Sequence, residues 1–186
     1  MFSLVIGGSG SGKSAFAENL LQESSAKNRY YVATMQVYDS ESEKRVQRHR
    51  LLRKDKGFVT VECPVDIEKA AEQIPSEPQE SALLLECISN LAANEMFGEI
   101  FLPGQQAADK ICAGIQKLYE SCRDLVIVTN NVFEDGRDYG ETTTEYIEAV
   151  GAVNIRLAQM ADAVCEVTAG IPFFLLHDSG ARRSTL

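Results

Sequence analysis

The octapeptide Gly7-Gly8-Ser9-Gly10-Ser11-Gly12-Lys13-Ser14 constrains this chain more than any other stretch. It fits the pattern G-x-x-x-x-G-K-[ST]. An apolar run, Leu4-Val5-Ile6, precedes it, and apolar positions at helical spacing follow it: Ala15, Phe16, Ala17, Leu20 and Leu21. A strand that turns through such a loop into a helix makes an anion cradle. Glycines let backbone N–H groups wrap phosphate oxygens, the helix N-terminus adds positive potential, Lys13 reaches terminal phosphates, and Ser14 can ligate Mg²⁺. The bland alternative, a flexible Gly/Ser loop, does not account for both flanks.

The remaining sequence supplies a sheet for such a loop. Short apolar runs ending in small or polar residues recur at 2–6, 29–34, 58–62, 82–86, 124–130, 163–169 and 172–176, and read as strands. Between them, segments 13–25, 66–74, 105–122 and 142–161 carry helical spacing. In the third, Ala108, Ile111, Cys112, Ile115, Leu118 and Tyr119 form one stripe, which predicts a helix laid on a sheet face. Strand alternates with helix, so the expected class is α/β: a P-loop NTPase fold whose mostly parallel central sheet is flanked by helices. The turn-rich segments 74–81 and 138–144 are too short to be interdomain linkers. A single nucleotide-binding domain over residues 1–186 is expected, with 178–186 a tail that frays or is held by a neighbouring subunit.

A net charge of −9 and a pI near 4.8 argue against a nucleic-acid or anionic-membrane surface, because both need a broad basic face. The five cysteines form no CxxC pair and read as reduced core thiols. The N-terminus has neither a basic leader region nor a cleavage site, and no 18-residue apolar stretch occurs, so a cytoplasmic protein without a membrane span is expected.

Two further features bear on the cradle. Ala82-Leu-Leu-Leu-Glu86 puts a carboxylate directly after a run apolar enough to be interior, where a P-loop protein needs a second metal ligand; capping the following helix is the alternative use of Glu86. Residues 44–56, KRVQRHRLLRKDK, gather seven of the 18 basic residues around His49. If 41–56 is helical, Arg45, His49 and Arg53 share a face, with Arg48 and Lys56 beside them. Like charges then disfavour the imidazolium and keep His49 a neutral nucleophile, while the guanidinium groups receive a triphosphate. A solvated charged face with His49 a spectator is the alternative. His177, ending the run PFFLLH, reads as structural.

The segments GGSGSGKS, YVATMQ, RVQRHR, TVEC, ALLLECIS, VIVTN, GAVNIRLAQMADAV and AGIP, in this order and spacing, resemble adenosylcobinamide kinase/adenosylcobinamide-phosphate guanylyltransferase. The resemblance implies two reactions: phosphorylation of adenosylcobinamide by a nucleoside triphosphate, then transfer of GMP from GTP, through a GMP-histidine, to the corrinoid phosphate. It implies that His49 is guanylylated and that Gly7 to Ser14 hold phosphates. It further implies that Thr34, Met35, Gln36, Arg50, Leu51, Leu52, Arg53, Glu62 and Glu86 line the nucleotide site. Mg²⁺ held by Ser14 and Glu86, GTP and ATP as co-substrates, and a homotrimer with shared sites complete the expectation.

The chain departs from the family pattern in two places. Where T-N-E-V-G is common, it has Thr129-Asn130-Asn131-Val132-Phe133. Where R-x-x-R-D-x-x-G-x-x-N-Q is common, Thr144, Ile147 and Ile155 replace both arginines and the glutamine. Three rival readings stay open: an enzyme that keeps one activity, most plausibly guanylyl transfer; a non-catalytic GTP-binding regulatory protein; and a plain small-molecule kinase with an arginine-rich lid.

Overall fold

The computed structural model describes residues 1–36, 56–75, 77–132 and 139–177. Its strands are β1 (Phe2–Gly7), β2 (Asn28–Ala33), β3 (Phe58–Glu62), β4 (Ser81–Glu86), β5 (Asp124–Asn130), β6 (Ala163–Thr168) and β7 (Ile171–His177). Its helices are α1 (Lys13–Gln22), α2 (Lys69–Glu72), α3 (Ile88–Phe97), α4 (Gly104–Glu120) and α5 (Glu141–Met160). The strands form a seven-stranded sheet in the order β3-β2-β4-β5-β1-β6-β7. Pairing is parallel except between β6 and β7, which are antiparallel. The parallel strands carry their C-terminal ends to one edge, the place where an α/β sheet receives a ligand.

Alternation along the strands divides the core. Leu4, Val32, Leu83, Leu85 and Ile127 pack with Ile88, Leu91, Ile111, Ile115, Val150 and Leu157 of α3, α4 and α5. Val5, Tyr31, Leu84, Val126 and Val128 face the other way, against Ala17 and Leu21 of α1. Both faces of the interior strands are covered, which is why they read as unbroken apolar runs.

The α4 stripe buries Ala108, Ile111, Ile115 and Leu118, with Cys112 and Tyr119 partly buried at its margins. Other boundaries differ from the periodicity. The first helix ends at Gln22, and nearby the Ser24 hydroxyl donates to Asp124 Oδ2 at 2.5 Å. The expected helix over 66–74 shrinks to Lys69–Glu72, because Asp66 adopts a left-handed φ of 51° and its carboxylate takes Lys69 at 2.7 Å and Lys110 at 2.5 Å. Glu95, buried in α3, accepts the Asp66 N–H at 2.7 Å and Lys110 Nζ at 2.6 Å, tying the loop after β3 to α3 and α4. Helix α3 has no one-sided stripe to announce it, since Ile88, Ser89, Leu91, Ala92, Asn94, Glu95 and Met96 are all buried. Among the described residues no helix is long and apolar enough to cross a membrane.

Candidate nucleotide site

The glycine loop leaves β1 at Gly7 and enters α1 at Lys13, beside the C-terminal ends of β5 and β6. Gly10 and Gly12 have φ of 72° and 92°, a region that a side chain disfavours. A Cβ on Gly12 would stand 3.1 Å from the Cα of Gly170, in the β6–β7 turn, whose N–H donates to Ser11 O at 2.8 Å. The loop is thus seated on that turn. Gly8, Ser9 and Gly10 remain open to solvent, and the first turn of α1 has no acidic residue to cancel its positive end. Lys13 is 9% exposed and curls over the loop, its ammonium donating to Gly8 O at 3.0 Å. The Ser11 hydroxyl oxygen is buried without a hydrogen-bond partner in the same loop.

Strand β4 brings Glu86 to this edge with β5 between it and β1. The carboxylate turns toward the loop: Ser14 Oγ donates to Glu86 Oε1, and the Tyr31 hydroxyl donates to Oε2 at 3.0 Å. Capping is not its use, since Cys87 is the N-cap of α3 and no side chain bonds there. A hydroxyl touching a carboxylate oxygen is a hard-donor pair suited to Mg²⁺, which keeps its other positions for phosphate and water. Among the described residues no group of three or more His, Cys, Asp and Glu is placed to hold a metal by itself.

Around this pair the C-terminal edge is braced by buried polar groups. Thr34 is fully buried; its hydroxyl donates to Cys87 O at 2.9 Å and accepts from Cys87 N at 2.7 Å. The Asn94 amide donates to Thr34 O at 2.7 Å and Pro64 O at 2.9 Å, joining the ends of β2 and β3. Asn130 ends β5 opposite Gly7 and donates to Ser89 Oγ at 2.6 Å. Met35 and Gln36 follow β2, half-buried, and Glu62 ends β3, exposed. His49, Arg50, Leu51, Leu52 and Arg53, and the expected basic helix, lie outside the described residues. The end of that segment is described: Lys56 ion-pairs with Glu18 of α1, a carboxylate 8% exposed.

The family described as cobinamide kinase / cobinamide phosphate guanyltransferase matches residues 3–175. The chain belongs to this family. Its two named activities are both transferases. The bifunctional adenosylcobalamin biosynthesis protein CobU of Salmonella typhimurium is 33% identical over 186 residues, covering 92% of this chain and 97% of that protein. CobU of Escherichia coli is 33% identical over 183 residues with the same coverage. CobP of Pseudomonas aeruginosa is 29% identical over 175 residues, covering 92% of this chain and 95% of that protein. Among solved structures, the flagellar accessory protein FlaH from Methanocaldococcus jannaschii superposes with a TM-score of 0.50 at 12% identity, over 95% of this chain and 78% of that one. That likeness concerns the P-loop fold alone.

Within this member of the family, two departures from the family pattern meet. Asn131 and Ile155 line a cavity of about 390 Å³ with Ile6, Asn154, Glu166 and Leu175. The cavity adjoins the cradle, since Ile6 precedes Gly7 and the Asn131 N–H donates to Gly7 O at 3.3 Å. Thr144 is exposed and Ile147 half-buried on α5, while Phe133 lies outside the described residues. Reasoning from sequence alone missed Tyr31, Asn130, Asn94 and the Glu18–Lys56 pair. A polar residue ending an apolar strand, Asn130, and a phenol inside another, Tyr31, are the signals it offered; Asn94 and Glu18 sit within helices and carried none.

Proposed function

We propose that this chain phosphorylates adenosylcobinamide with a nucleoside triphosphate and then transfers GMP from GTP, through a GMP-histidine at His49, to give adenosyl-GDP-cobinamide. The observation that carries the reading is the convergence of Ser14 and Lys13 with Glu86 from another strand, at a glycine loop open to solvent. In the first step the alcohol oxygen of the acceptor attacks the γ-phosphorus, the bond to the β-phosphate bridging oxygen breaks, and the alcohol proton is released. Gly7 to Ser14 bind the phosphates, and Lys13 offsets charge on the transferring group.

In the second step a neutral imidazole nitrogen of His49 attacks the α-phosphorus of GTP and pyrophosphate departs. The corrinoid phosphate oxygen then displaces the imidazole, which returns to its neutral form. Arg50 and Arg53 would offset charge on the pyrophosphate, and Thr34, Met35, Gln36, Leu51, Leu52 and Glu62 would line the nucleotide. Mg²⁺, held by Ser14 and Glu86, would supply charge neutralisation between phosphate oxygens. A single domain, a homotrimer with shared sites and a cytoplasmic location belong to the same reading.

Mass spectrometry after incubation with Mg²⁺-GTP tests it. GMP is expected on His49 of the wild type and absent from His49→Ala; an unmodified wild type, or GMP attached elsewhere, defeats the histidine mechanism. The cavity at Asn131 and Ile155 favours a second reading in which guanylyl transfer survives and cobinamide phosphorylation does not, because those departures sit beside an otherwise intact loop. Assaying the two half-reactions separately, with cobinamide and with cobinamide phosphate as acceptor, decides between them.

A further inference from the structure

We propose that Tyr31 is a positioning residue for the cation of the phosphate site, its hydroxyl fixing the rotation of the Glu86 carboxylate so that the opposite oxygen stays beside Ser14. The inference rests on the reading in which Ser14 and Glu86 hold Mg²⁺. In the β2–β4 pair Tyr31 lies opposite Leu84 and Ala33 opposite Glu86. Alternate residues share a sheet face, so Tyr31 and Glu86 are diagonal neighbours on the face covered by α1, at a separation that a phenol spans. The Tyr31 ring is 4% exposed and meets Phe58 edge-on, centroids 6.5 Å apart at 82°. A ring so enclosed keeps its hydroxyl in one place.

The carboxylate needs such a fixed partner. The terminal torsion of glutamate is broad, so the side chain alone does not choose which oxygen meets the loop. Ser14 and Tyr31 donate to different oxygens, and together they choose. Once the Ser14 oxygen turns a lone pair toward a cation, the Tyr31 bond is the restraint that does not have to change. Packing does not require the hydroxyl either: phenylalanine would fill the same space without burying a polar atom that must be bonded. Partners that orient a ligating group commonly change metal affinity about ten- to a hundredfold when removed.

The test measures binding of a fluorescent N-methylanthraniloyl GTP to wild type, Tyr31→Phe and Glu86→Gln, each in EDTA and in Mg²⁺. Thermal melts are run alongside to confirm folding. Tyr31→Phe should match wild type in EDTA and lose about tenfold of the affinity that Mg²⁺ adds. A Mg²⁺-dependent gain equal to wild type overturns the proposal, and so does an equal loss in EDTA and in Mg²⁺, which marks a packing role. Glu86→Gln separates this proposal from the reading beneath it. If Glu86→Gln abolishes the gain while Tyr31→Phe preserves it, the role of Tyr31 alone is refuted; if neither variant alters the gain, the assignment of Glu86 to the cation falls as well.

Discussion

Lys13 sits with its ammonium on Gly8 O, the group that an arriving phosphate would displace. Truncating it to alanine removes the charge without touching the sheet. Turnover of Mg²⁺-GTP is expected to fall on the order of a hundredfold or more, measured as pyrophosphate release, with the melting temperature little changed. Gly12 is the converse case, where the backbone and not a side chain is at stake. At φ 92°, and with a new Cβ 3.1 Å from the backbone of Gly170, Gly12→Ala should cost about 1–3 kcal/mol. A urea unfolding series reads that loss, and an unchanged midpoint would show that the β6–β7 turn yields. Both residues are legible in sequence because the loop's chemistry is contiguous. Tyr31 is not, because its meaning depends on β2 lying next to β4, which no local pattern records.

The elements that brace the site are held by charge as well as by apolar packing. Asp66 receives hydrogen bonds from Lys110 and Lys69, which hold its carboxyl below the usual carboxylate range. A depressed folded value means that the ion pairs contribute fully above the unfolded pKa, about 3.9. That contribution is lost as pH falls through the folded value. Urea midpoints measured from pH 6 downward should therefore hold until about pH 4 and then decline, and Asp66→Asn should flatten that decline while lowering the plateau. An unaltered acid limb in the variant would remove Asp66 from the account. The same cluster explains why helix reading erred here. Apolar spacing over 66–74 suggested more helix than forms, since it could not weigh a left-handed Asp66 bonded to Glu95 of α3. Helix α3 was opaque for the opposite reason: buried nearly all round, it has no polar face to set the period.

At the scale of the whole molecule, the seven described strands are readable as apolar runs: the interior ones because both of their faces are covered and no alternation interrupts them, the largely exposed edge strands β3 and β7 because they are rich in β-branched and aromatic residues. Their order was not readable, and it is the order that brings Glu86, Tyr31 and the β6–β7 turn to the glycine loop. The thiols test whether that sheet opens as one unit. Cys63 and Cys122 lie in the core beneath α3, α4 and α5, whereas Cys87 and Cys165 lie on the α1 side. Burial pushes the Cys63 thiol up to about 11 and Cys122 to about 12, and raises Cys87, Cys112 and Cys165 as well. At pH 8 Cys63 is then thiolate to roughly one part in a thousand, and maleimide must wait for the fold to open. Half-buried Cys112 should label first. The other four should follow with one shared dependence on urea, read by peptide mass spectrometry over time, because strands shared by both faces cannot separate from one core and keep the other. Earlier labelling of Cys87 and Cys165 than of Cys63 and Cys122 would mean that the α1 layer opens alone, carrying the phosphate loop with it.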